Sequence, residues 1–63
     1  MSGFRHDTES YKLCIQASSL AECCLHLYHA KSRGESFSYD LLKAEEYLGT
    51  MQKLLNGLKE QSK

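Results

Sequence analysis

The sequence predicts an all-α fold, an antiparallel two-helix hairpin, on three observations. Apolar residues recur at spacings of three and four over two long stretches. Two cations and a glycine, Lys31, Arg33 and Gly34, stand where the first stretch ends. No proline occurs anywhere in the 63 residues to break either stretch.

Residues 1–6 show no apolar periodicity and include Gly3, so they read as a loose lead-in or a cloning remnant, with a single helical-hairpin domain over 7–63. Asp7 or Thr8 can accept a hydrogen bond from the free amides of a first turn, and Glu9 suits the positive end of the helix dipole. The first helix is therefore placed at about 8–32. Lys31 and Arg33 suit its carbonyl end, and Gly34 can take the left-handed conformation that closes it. Ser38 is the expected cap of a second helix at about 39–60, with Phe37 and Leu42 forming a hydrophobic staple across its first turn. Gly49 weakens that helix by about 1 kcal/mol relative to alanine, and Asn56-Gly57 is a turn-like pair that Leu58 argues against. With so short a connection, two helices of similar length fold back on each other.

The second helix carries a seam of Leu41, Ala44, Leu48, Met51, Leu55 and Leu58, widened by Tyr47 and Leu54. Its opposite face, with Lys43, Glu46, Thr50, Lys53, Gly57 and Glu60, is solvent-compatible. The first helix carries Leu13, Ala17, Leu20, Cys24 and Leu27, flanked by the small or aromatic Cys14, Ala21 and Tyr28. Tyr11, Ile15, Cys23, Leu25 and Ala30 fall outside that stripe, so one partner helix cannot cover all of the apolar surface. The expectation is a second apolar face on the first helix. Tyr11, Ile15, Cys23 and Leu25, with Tyr47 and Leu54, are the candidate partner-binding residues.

Charge and size exclude much else. Eight basic and eight acidic side chains are scattered along the chain, which leaves no footprint for a nucleic acid or an anionic membrane. No apolar run approaches the roughly 20 residues needed to span a bilayer. Three cysteines, two of them adjacent at Cys23 and Cys24, make no disulfide framework and point to reduced thiols in the cytoplasm or nucleus. A chain this short lacks the loops that bring an acid, a base and an oxyanion site together, so neither catalysis nor a small-molecule substrate is expected.

The metal-capable cluster is Cys23, His26 and His29, spaced three apart on a helix. It lacks a second pair of ligands for tetrahedral zinc, so no metal or cofactor is expected, and a zinc or redox protein is the least favoured reading. If the two histidines lay at an interchain contact, assembly would respond to mild acid.

Two-helix hairpins have little core to offset chain entropy. The functional expectation is accordingly a non-catalytic interaction module. It self-associates through the second apolar face of helix one, as a homodimer forming a four-helix bundle. The alternative is a domain of a larger regulatory or adaptor protein that accepts an amphipathic helix from a different helical partner.

Overall fold

The computed structural model describes residues 8–62. The expected lead-in over residues 1–6 and the expected cap at Asp7 lie outside that range. Among the described residues there are two helices, α1 (Thr8–Ser32) and α2 (Ser38–Gln61), packed against each other as a hairpin.

The connection forms as its sequence dictates. Gly34 has φ +74°, which an L side chain adopts only at a cost, and it ends α1. The amide of Gly34 donates to the Lys31 carbonyl at 3.1 Å and that of Glu35 to the Ala30 carbonyl at 2.8 Å. These two bonds satisfy carbonyls that the helix end leaves free and make a Schellman closure. Arg33 and Glu35 add an exposed ion pair at 3.3 Å.

The start of α2 differs from expectation. Ser38 is the first helical residue and Phe37 takes the cap position, without a side-chain cap bond. The Phe37 carbonyl accepts from the Leu41 amide at 3.0 Å. Phe37 itself is half-buried, whereas Leu42, its expected staple partner, is 54% exposed. Burying a large ring is worth up to about 1.5–3 kcal/mol and a side-chain cap about 1, so packing sets where the second helix begins. At the other end Asn56-Gly57 does not break the helix, which runs on to Gln61.

The hairpin seam is rotated by one residue from the expected one. In α1, Leu13, Gln16, Leu20, Cys23, Leu27 and Ala30 are buried or half-buried, while Ala17 and Cys24 are exposed. In α2, Asp40, Ala44, Tyr47, Met51, Leu54 and Leu58 are half-buried, while Leu41, Leu48 and Leu55 are exposed. The expected and observed seams share Leu13, Leu20 and Leu27 on α1 and Ala44, Met51 and Leu58 on α2. They differ in which neighbouring row completes the stripe. The apolar arc is wider than one helix contact, and the hairpin takes the row that contains Gln16 and Asp40 in preference to the row of leucines.

Candidate functional site

Viewed along its length, the hairpin has two unlike flanks. Both follow from the seam, because in an antiparallel pair the residues next to the seam on the same angular side of each helix fall on the same side of the hairpin.

One flank is polar. Ser19, Glu22 and His26 of α1 and Tyr39, Lys43 and Tyr47 of α2 line a shallow cleft over Cys23 and Asp40. Lys43 pairs with Glu46 at 3.3 Å and stands 5.6 Å from the centre of the Tyr47 ring. The Glu46 carboxylate, by hydrogen bond and by charge, raises the Lys43 ammonium above its ordinary 10.5.

At the floor of the cleft the Cys23 thiol donates to the Asp40 carbonyl at 3.1 Å. Burial first, and then the Asp40 carboxylate, push this thiol above its ordinary 9.0. A nucleophilic cysteine needs the opposite shift, toward thiolate at neutral pH. His26 and His29 are both exposed, and the His29 ring meets Tyr28 edge-on, with centroids 5.5 Å apart. Among the described residues, no three His, Cys, Asp or Glu side chains converge on a point that would hold a metal ion.

The other flank is apolar. Leu41, Leu48 and Leu55 of α2 are 48%, 53% and 39% exposed. Beside them on α1 stand the exposed small side chains of Ala17 and Cys24, with Cys14, Ala21 and, at the loop end, the exposed Tyr28 one row further out. The shared row between seam and flank is only half-buried on both helices, from Leu13 to Leu27 and from Ala44 to Leu58.

The six residues singled out in the sequence divide into two groups. Tyr11, Ile15 and Leu25 face outward from the back of α1, at 56%, 46% and 53% exposure. Ile15 and Leu25 border a shallow groove, but Ser18 and Glu22 lie in it too, so the patch is interrupted. Cys23, Tyr47 and Leu54 do not share that face. Cys23, expected outside the seam, is one of its two buried side chains, and Tyr47 and Leu54 are half-buried against α1.

The correction has a simple cause. Cysteine and tyrosine are apolar enough to pack but look expendable beside leucines, so periodicity alone assigns the leucines to the intramolecular contact. Sequence reasoning therefore missed the exposure of Leu41, Leu48 and Leu55. The signal was present as an unbroken seven-residue leucine spacing adjoining a second apolar row.

Among the described residues no helix is long and apolar enough to cross a membrane. Comparison with known proteins finds no matching family model, no matching curated protein and no matching solved structure.

Proposed function

We propose that this chain is a non-catalytic protein-interaction module that self-associates into a four-helix bundle. The observation that carries the reading is the mismatch between apolar surface and core. Among the described residues only Cys23 and Ala30 are buried, whereas nine large hydrophobic side chains are 39% to 70% exposed. Burial yields about 25 cal/mol per Å² of apolar surface, and a core this thin leaves most of that stabilisation unrealised until a second surface arrives. The polar cleft gives catalysis no support, because its thiol is held protonated and donates to a main-chain carbonyl. Three unpaired cysteines, two of them exposed, favour a reducing compartment, the cytoplasm or nucleus.

Sedimentation equilibrium and thermal melting at two concentrations test the reading. A dimer whose melting temperature rises with concentration is the expected result. A monomer at both concentrations, with an unchanged melting temperature, overturns it.

A second reading rests on the groove beside Ile15, Ala21 and Leu25. Here the hairpin is part of a larger adaptor, and an amphipathic helix from a different protein lies along the back of α1. Its mark is a monomer that gains helicity only when that helix is added.

A further inference from the structure

We infer that the surface through which two copies join is the leucine flank, with α2 of each copy lying on α1 of the other and both connecting loops at the same end of the bundle. The inference rests on the self-association proposed above and assigns its surface and arrangement.

Three features single out this flank. The first is its continuity. Leu41, Leu48 and Leu55 form one row at seven-residue spacing along α2, whereas the back of α1 is interrupted by Ser18 and Glu22.

The second is the half-burial of the row between flank and seam. Leu13, Leu20 and Leu27, with Ala44, Met51 and Leu58, are half-buried, and their helical positions set them between the hairpin contact and the leucine flank. A surface laid on that flank buries both rows together. The flank is as long as the helices, about 36 Å at 1.5 Å per residue, and about 18–20 Å wide across two helices packed 8–10 Å apart. That is roughly 650–720 Å² per copy in projection, close to the ~800 Å² per partner of a stable interface.

The third feature is size, and it names a second copy as the occupant. The flank is large on one helix and mostly small on the other, with leucines on α2 and Ala17, Ala21 and Cys24 along α1, where the large Tyr28 stands only at the loop end. A two-fold axis parallel to the helices sets α2 of one copy against α1 of the other, so that each leucine row meets a small-residue row and every neighbouring pair of helices is antiparallel. A two-fold axis across the helices instead sets leucines against leucines and small residues against small residues. That pairing crowds one half of the core and leaves the other half empty.

The surface is tested by Leu48→Glu, with Leu25→Glu on the back of α1 as the comparison. Leu48→Glu is expected to raise the dimer dissociation constant by about a hundredfold or more, because each interface would take in two unpaired carboxylates. Leu25→Glu is expected to leave the constant near the wild-type value. The reverse pattern overturns the assigned surface and leaves self-association intact, whereas a wild-type chain that is monomeric throughout removes both.

Because Leu48→Glu can lose helices along with the dimer, the arrangement is read separately with the leucines in place. A spin label is attached at Glu35→Cys in the loop, with Cys14→Ser and Cys24→Ala to remove the exposed thiols. Loops at one end put the two labels roughly 20 Å apart, and loops at opposite ends put them about 40 Å apart, the span of a helix. The longer distance overturns the arrangement.

Discussion

The Cys23 thiol donates to the Asp40 main-chain carbonyl at 3.1 Å, joining the middle of α1 to the first turn of α2. At the far end of the hairpin the Gln61 side-chain amide donates to the Glu9 carboxylate. The two bonds lie toward opposite ends of a largely apolar contact. A slide of one helix along the other would break both, so they fix register in a seam whose apolar residues alone would tolerate shifts.

Burial and a raised pKa make the same prediction for thiol chemistry. The reactive species is the thiolate, and Cys23 is both covered and held above 9.0, while Cys14 and Cys24 are exposed. Iodoacetamide at neutral pH should modify Cys14 and Cys24 before Cys23, as followed by mass spectrometry. Equal rates at Cys23 and Cys24 would contradict the packing described here. Unfolding in urea should bring the three rates together.

Alkaline pH should weaken the fold. Cys23 is raised above 9.0, by burial before the Asp40 carboxylate, and Lys43 above 10.5, by the Glu46 carboxylate. For a raised pKa the native state favours the protonated form. The stabilisation is therefore complete below the unfolded-state value and is lost as pH climbs through the folded one. Helix content at a fixed urea concentration should hold steady below pH 9 and decline above it. Cys23→Ala should remove the earlier part of the decline, and a variant with the unchanged pH profile would assign that part to another group.

The helices and their connection were legible in the sequence because apolar periodicity runs through both helices and the connection between them carries a local chemical signal. Gly34 is the clearest, since its left-handed conformation needs only its own lack of a Cβ and two nearby carbonyls. The angular setting of the helices was not legible to the same degree. Rows containing Leu13 and Ala44 belong to either of two overlapping stripes, and their spacing does not say which stripe faces inward. The choice is made by contacts between residues distant in sequence, such as Cys23 with Asp40. This explains why Tyr11, Ile15 and Leu25 stand outward as expected while Cys23, Tyr47 and Leu54 turn toward the hairpin contact.

Gly34→Ala should destabilise the hairpin. At φ +74° an alanine Cβ approaches the following carbonyl, at a cost of about 1–2 kcal/mol. No other atom lies within 4 Å of the Cβ position, so the cost is backbone strain alone. Asparagine tolerates this conformation better, and Gly34→Asn should recover part of the loss. Chemical denaturation of the three proteins checks the order, and an alanine variant as stable as the parent would show that the turn does not depend on the left-handed residue.

The two glycines inside α2 should respond unequally to alanine. At Gly49 an added Cβ meets nothing within 4 Å, so Gly49→Ala should gain the helix preference of alanine, about 0.5–1 kcal/mol. At Gly57 the same Cβ would stand 3.1 Å and 3.3 Å from the two carboxylate oxygens of Glu9. The Gln61 side-chain amide donates to one of those oxygens, so displacing the carboxylate puts that bond at risk. Gly57→Ala should therefore gain less than Gly49→Ala. The difference should vanish when Glu9 is also changed to alanine, which removes the obstructing group and leaves only the helix preference. A double-mutant cycle over Glu9 and Gly57, read by urea denaturation, measures that coupling directly. Zero coupling would mean that the first turn of α1 does not lean on α2 at Gly57.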